Sequence, residues 1–175
     1  MKLSNDLLNV FVYGSLKKGF SNHDDYCHGV RSIEPASIRG ILFEHPSGFP
    51  VVQADRDEIL AVGTSDPATD MAAQRAFTSR VQIAASRPRS TASPFGPWRL
   101  VRGELMRFDD PASRLPALDD LEAFHPDELT LYRRVLLPVQ PDRGPLVPAW
   151  VYVLGACAEE LTLLHSSSWT PGLDL

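Results

Sequence analysis

The chain has 175 residues, of which 43% are apolar and 22% are charged, and this composition is typical of a soluble globular domain. Its 22 acidic and 17 basic residues give a formal net charge of −5, and since nucleic-acid binding needs a concentrated basic surface, no nucleic-acid partner is expected. The length suits one domain, residues 1–175, and no secretory signal or apolar stretch of the roughly 20 residues that a membrane helix needs is found, so a cytoplasmic protein without membrane association is expected.

Short strands are the main predicted elements, because 15 prolines are spread along the chain and interrupt long helices. Apolar runs or alternating patterns predict six strands, over residues 10–13, 37–44, 49–53, 98–108, 132–139 and 149–154. A helix capped by Asp66 or Asp70 is predicted over residues 67–85, with an apolar face formed by Ala73, Phe77, Val81 and Ala84. A mobile loop is predicted over the Pro- and Ser-rich residues 86–97, and a second, shorter helix over residues 116–124.

The first predicted strand ends at a glycine-rich turn, Gly14-Ser-Leu-Lys-Lys-Gly19. This spacing is half of a phosphate loop, but Phe20 stands where a phosphate loop needs lysine, so nucleotide binding is not favoured. Gly14 permits a tight backbone, and exposed N–H groups of Ser15 and Leu16 would suit a carboxylate or an oxyanion. The alternative is an ordinary turn after an edge strand.

Glu122 is the candidate acid/base of the second predicted helix. At the helical period it lies on the same face as three leucines, Leu115, Leu118 and Leu121. Asp120 lies on the opposite face, and Asp119 is intermediate. A carboxyl group on an apolar face loses hydration, which raises its pKa towards the range that proton transfer needs. The alternative is a partly buried carboxylate that extends to the solvent-exposed rim or pairs with an arginine such as Arg133 or Arg134.

Residues 23–28, His-Asp-Asp-Tyr-Cys-His, contain possible metal ligands and a possible Cys/His pair. Their spacing matches no zinc motif, so no metal site is predicted, and the thiols of Cys27 and Cys157 are expected to be unpaired. A hydrolase with Cys27 as its nucleophile is a weaker alternative.

The order of several blocks resembles the gamma-glutamylcyclotransferase-like family, and within it the gamma-glutamylamine cyclotransferase-like branch. The blocks are Val12-Tyr13-Gly14-Ser15-Leu16, Gly48-Phe49-Pro50, Val101-Arg102-Gly103-Glu104-Leu105, Leu118-Asp119-x-x-Glu122, Tyr132-x-Arg134 and Ala149-Trp150-Val151-Tyr152-Val153. The resemblance implies an α+β fold, a compact mixed β-barrel with few helices. It also implies a pocket between the loop of residues 13–16 and the helix that carries Glu122.

The activity that the resemblance implies is cyclisation of a γ-glutamyl amide to 5-oxoproline and a free amine, without a cofactor. Glu122 is then the catalytic acid/base, and the substrate-binding residues are Tyr13, Gly14, Ser15, Leu16 and Tyr132. The expected partner is a small γ-glutamyl substrate, and a monomer or homodimer is expected. The alternative is a non-catalytic member of the same fold that binds a small acidic metabolite or a protein.

Two features depart from the family's pattern. Ala123 stands where the family usually has glycine after the glutamate. The segment between Val52 and Trp98 is longer than expected, so residues 60–97 are predicted to be a helical and loop insertion. Such an insertion is either a lid that sets substrate size or a decoration.

Overall fold

The structure is a computed structural model that describes residues 6–85, 92–156 and 160–172. Its ten strands are β1 (Leu8–Val12), β2 (Ser32–Glu44), β3 (Pro50–Ala54), β4 (Ala61–Val62), β5 (Ala92–Ser93), β6 (Gly96–Pro97), β7 (Arg99–Phe108), β8 (Tyr132–Pro141), β9 (Val147–Leu154) and β10 (Thr162–Leu163). Its four α-helices are α1 (His23–Tyr26), α2 (Pro67–Thr78), α3 (Val81–Ala85) and α4 (Pro111–Leu121).

Five strands form a closed barrel in the order β2–β7–β1–β9–β8, and β8 returns to pair with β2. The β1–β9 pair is parallel and the other four pairs are antiparallel, so the predicted mixed barrel with few helices is confirmed. Three short strands extend the sheet, because β3 and β10 pair with β2, and β4 pairs with β8. Strand β2 begins at Ser32, earlier than the predicted residue 37, because its pairing with β7 continues beyond the apolar run.

Strands β1, β8 and β9 are buried on both faces over most of their length, which explains why their sequences are largely apolar without alternation. Alternate residues of a strand point to opposite sides. In β9, Val151 and Val153 belong to the core cluster inside the barrel, whereas Trp150 and Tyr152 pack with leucines of α4 on the outside. The sheet therefore has a second apolar layer, and α2 and α4 cover it.

The segment predicted as one helix over residues 67–85 forms two helices, α2 and α3, with a break between them at residues 79–80. Asp66 is the N-cap of α2, since its carboxylate accepts from the N–H groups of Ala68 and Thr69, each at 3.2 Å. Asp70, the other predicted cap, is buried instead. No helix in the described ranges is long and apolar enough to span a membrane.

In the segment predicted as a mobile loop, residues 92–97 form regular structure, while residues 86–91 lie outside the described part of the chain. Strands β5 and β6 pair as a two-stranded hairpin. The ring of Phe95 between them packs edge-on against Phe43 of β2, with 5.3 Å between ring centroids. This aromatic contact joins the hairpin to the barrel, and the proline- and serine-rich composition of the segment does not predict it.

Candidate active site

A cavity of about 440 Å³ opens beside the barrel, between the loop after β1, the start of β3, the end of α4 and the start of β8. All six predicted site residues line it: Tyr13, Gly14, Ser15, Leu16, Glu122 and Tyr132. Most of the remaining lining is apolar, and it includes Phe11, Phe49, Pro50, Leu131 and Tyr152. The fold thus brings the predicted residues to one place, and their roles remain predictions.

Glu122 caps the C-terminus of α4 and does not lie inside the helix. The predicted helix over residues 116–124 is displaced, because Pro111 begins α4 and Pro116 is tolerated within it. The helix ends in a Schellman motif, in which the N–H of Phe124 donates to the carbonyl of Asp119 at 2.8 Å and that of Ala123 to Asp120 at 3.2 Å. This tight turn directs Glu122 into the cavity.

Burial raises the pKa of the Glu122 carboxyl from 4.5 to about 7. Among the residues that the structure describes, no donor hydrogen-bonds to this carboxyl, so no contact lowers the pKa that loss of hydration raises. Asp120 is exposed, as the helical wheel predicts. A carboxyl that titrates near neutrality can take up and return a proton in one reaction.

Ala123 adopts a left-handed conformation with φ of 50°, at the position after the cap where glycine is preferred. We expect Ala123→Gly to raise the free energy of unfolding by about 0.5–1 kcal/mol, because glycine relieves this strain. Chemical denaturation measures the effect. The control is Ala117→Gly at an exposed position within α4, which should lose about 0.5–1 kcal/mol. Equal destabilisation by both variants would contradict a strained turn.

The loop of residues 14–16 lines the cavity and has free backbone donors. Its shape is fixed by bonds from Lys17 N–H to the Gly14 carbonyl at 3.1 Å and from Asn22 N–H to the Ser15 carbonyl at 3.0 Å. Across the described ranges, the N–H groups of Ser15 and Leu16 donate to no protein acceptor. Two such donors on a fixed loop are suited to a carboxylate or an oxyanion.

Gly14 is required for a different reason from the one predicted. It does not adopt a positive φ, so unusual backbone geometry does not explain it. A Cβ atom at this position would lie 2.9 Å from Cγ of Pro50, which also lines the cavity. The absence of a side chain therefore lets the loop approach β3 closely.

We expect Gly14→Val to weaken binding of a γ-glutamyl ligand at least about tenfold, because overpacking against Pro50 costs about 1–3 kcal/mol and displaces the loop. Isothermal titration calorimetry measures the affinity, and circular dichroism checks the fold. Gly172→Val is the control, since a Cβ atom at Gly172 would meet no described atom within 4 Å and its φ is not positive. Normal affinity in a folded Gly14→Val protein would remove this loop from the site.

Three tyrosines line the cavity together with Glu122, and each of their hydroxyl groups donates to a partner other than Glu122. Tyr13 donates to the carbonyl of Tyr152 at 2.6 Å, and Tyr132 donates to the carbonyl of Pro50. Tyr152 donates to Oδ1 of Asp119 at 2.6 Å. Burial raises the pKa of all three phenols, so they are uncharged at neutral pH.

Arg134 lies behind this wall and is buried, with 1% of its side chain exposed. Its guanidinium contacts Asp70 at 2.8 Å and both carboxylate oxygens of Asp119, at 2.8 and 3.0 Å. The alternative in which Arg134 neutralises Glu122 is therefore wrong. Arg133, the neighbouring residue in β8, points to the other face of the strand.

A family model described as "Gamma-glutamyl cyclotransferase, AIG2-like" matches residues 10–66 and 72–171. The chain belongs to this family. A crystal structure of an AIG2-like protein from Mus musculus is similar, with a TM-score of 0.55 and 19% identity, over 94% of this chain and 88% of that chain. YkqA from Bacillus subtilis is similar with a TM-score of 0.52 and 18% identity, over 93% of this chain and 39% of that chain. The chain has no significant match among curated proteins.

The two solved structures share the fold with this member of the family, and their low identity supports no more than that. Within the predicted insertion, no described residue of 60–85 or 92–97 lines the cavity. Helix α2 instead packs against α4 and β9. The geometry therefore gives a lid role no support, and the limits of the insertion remain a prediction.

Cys27 does not lie at the cavity. Its side chain is buried, and desolvation raises the pKa of the thiol to about 11, so the thiol is protonated at neutral pH. The nearby His23 ring contacts the carbonyl of Leu16 at 2.9 Å. Cys157 lies outside the described residues. In the described part of the chain no cluster of three His, Cys, Asp or Glu side chains could hold a metal ion.

Proposed function

We propose that the chain is a γ-glutamyl cyclotransferase-type enzyme that converts a γ-glutamyl amide into 5-oxoproline and a free amine. The α-amino nitrogen of the substrate attacks the γ-carbonyl carbon, and a five-membered lactam ring forms. The bond from that carbon to the amide nitrogen then breaks. The α-nitrogen gives up two protons as it changes from an ammonium group to the lactam N–H. One completes the departing amine and the other protonates it to an ammonium ion, so the reaction needs neither water nor an oxidant.

The observation that carries this proposal is a carboxyl group with a pKa of about 7 at the wall of a cavity whose lining also includes residues with free backbone donors. In its ionised form Glu122 accepts a proton from the α-ammonium group, and in its protonated form it supplies one to the departing amine. The N–H groups of Ser15 and Leu16 suit the substrate carboxylate or the oxyanion formed during attack. Ring closure within one molecule already has a large proximity advantage.

The lining also favours a class of leaving amine. Among the described residues, Glu122 is the one lining side chain that is charged in its working pH range, and no lysine, arginine or histidine lines the cavity. A carboxylate on the leaving amine would have no cation to pair with, whereas an apolar group would contact Phe49, Pro50 and Leu131. We therefore expect γ-glutamyl amides of apolar amines to react faster than γ-glutamyl peptides.

A panel of γ-glutamyl compounds, assayed for 5-oxoproline by mass spectrometry, tests both statements. γ-Glutamyl-phenethylamide and γ-glutamyl-phenylalanine form a matched pair that differs by one carboxylate on the leaving amine. We expect a higher kcat/KM for the phenethylamide. Faster reaction of γ-glutamyl-phenylalanine would overturn the assignment of the amine. Binding without 5-oxoproline release from any compound would instead support the non-catalytic alternative.

A further inference from the structure

The wall around Glu122 contains three phenol groups but offers no hydrogen-bond donor from any of them. Tyr13 and Tyr132 are held by backbone carbonyl groups, which do not ionise and which a side-chain substitution does not remove. Tyr152 is held by a side chain, the carboxylate of Asp119, at 2.6 Å. The direction of the Tyr152 hydroxyl hydrogen thus depends on one replaceable residue.

Asp119 is itself held firmly. Arg134 donates to both of its carboxylate oxygens, and Asp70 holds the same guanidinium from the opposite element, α2. Both Arg134 and Asp70 have 1% of their side chains exposed, so water does not compete for these contacts. The carbonyl of Asp119 also accepts from Phe124 N–H, which closes the turn that carries Glu122.

We propose that Asp119 is a positioning residue. It accepts the hydrogen bond of the Tyr152 hydroxyl and so prevents Tyr152 from donating to the Glu122 carboxylate. This inference rests on the proposed role of Glu122 as acid/base. A hydrogen bond to a carboxylate stabilises the charged form and makes it a weaker base. Orienting the hydroxyl away therefore preserves the basicity that burial confers on Glu122.

The groups that face Glu122 are limited and support this assignment. The loop after β1 contributes Tyr13, β8 contributes Tyr132, and β9 contributes Tyr152, and each of these phenols is uncharged at neutral pH. Behind Tyr152 lie the charges of Asp119, Arg134 and Asp70. Any variant of Asp119 changes both this charge balance and the Tyr152 hydrogen bond, so the experiment must separate the two effects.

The experiment follows the Glu122 side-chain carboxyl by carbon-13 NMR during a pH titration of four proteins: wild type, Tyr152→Phe, Asp119→Ala and the double variant. We expect the Glu122 carboxyl to have the same pKa in wild type and in Tyr152→Phe, because Tyr152 donates no hydrogen bond to Glu122. In Asp119→Ala the Glu122 carboxyl should titrate about one pH unit lower than in the double variant, because only the single variant has a freed Tyr152 hydroxyl that can donate a hydrogen bond to it. Comparing these two proteins cancels the change in charge.

Two results would overturn the inference. One is a higher pKa of Glu122 in Tyr152→Phe than in wild type, which would show that Tyr152 donates a hydrogen bond to Glu122 in the native protein. The other is identical titration of Asp119→Ala and the double variant. If Asp119→Ala does not fold, Asp119→Ser and its double variant with Tyr152→Phe replace that pair, because serine is too short to accept the Tyr152 hydroxyl but keeps a polar group at this position, and identical Glu122 titration in these two proteins overturns the inference. The titration needs no turnover, so a protein that titrates as expected but releases no 5-oxoproline would contradict the proposed function alone.

Discussion

Glu122→Gln is expected to fold, to bind a γ-glutamyl ligand and to release 5-oxoproline at least about 100-fold more slowly than wild type. Glutamine has nearly the size of glutamate and retains a carbonyl oxygen, but it cannot take a proton from the α-ammonium group. The loss should therefore appear in kcat, with the ligand affinity of the folded protein largely retained. Steady-state kinetics and calorimetric titration measure the two quantities separately.

The matched control is Asp120→Asn, which changes an exposed carboxylate of the same helix. Its kcat should remain close to that of wild type, because Asp120 faces solvent and lines no part of the cavity. An inactive Asp120→Asn together with an active Glu122→Gln would show that the wrong carboxylate has been assigned.

The same carboxyl predicts how activity and stability depend on pH. Activity should fall as the pH decreases through about 7, because protonated Glu122 cannot accept a proton. Stability should show the opposite trend: the folded pKa lies above the ordinary 4.5, so the folded protein binds more protons than the unfolded chain between these values. The free energy of unfolding then decreases as the pH rises from about 4.5 to about 7, and at pH 8 Glu122→Gln should be the more stable protein.

Arg134→Leu should have the largest effect on stability, a loss of about 3–5 kcal/mol, because it leaves the carboxylates of Asp70 and Asp119 without their cation. Arg134 has 1% of its side chain exposed, and both partners lie within 3.0 Å. Denaturant unfolding monitored by tryptophan fluorescence measures the loss.

Arg102→Leu provides the control for Arg134→Leu, since Arg102 and Asp142 form an ion pair at 2.9 Å in which each side chain is 43% exposed. An exposed pair contributes about 0–1 kcal/mol. Comparable losses in the two variants would mean that burial of the Arg134 pairs does not determine their strength.

The strands could be predicted because the hydrophobic pattern that marks a strand lies within its own few residues. The apolar run of β9 and the alternation in β7 mark strands without any knowledge of the fold. The bounds of α4 could not be predicted, because Pro111 and Pro116 are both plausible first residues of a helix. The burial of the Glu122 carboxyl was nevertheless expected from the sequence, although this residue is the C-cap of α4 and lines the cavity beside Leu121 instead of lying within the helix.

The groups behind Glu122 could not be read from the sequence. Asp70, Asp119 and Arg134 come from α2, α4 and β8, and only the closed barrel brings them together. Asp70 also resembles a helix cap in the sequence, which hides its role as a buried partner. Tyr152 lies in one of the blocks that resemble the family, but its contact with Asp119 depends on how α4 crosses β9.

The most direct test of the proposed function is the fate of water oxygen during turnover. The reaction of a γ-glutamyl amide in water enriched in oxygen-18 should give unlabelled 5-oxoproline and the free amine in equal amounts, because the attacking nucleophile is the substrate's own nitrogen. Glu122→Gln in the same assay should give neither product at a comparable rate. Formation of glutamate with oxygen-18 in its γ-carboxyl group would show hydrolysis by water, and would contradict cyclisation at this site.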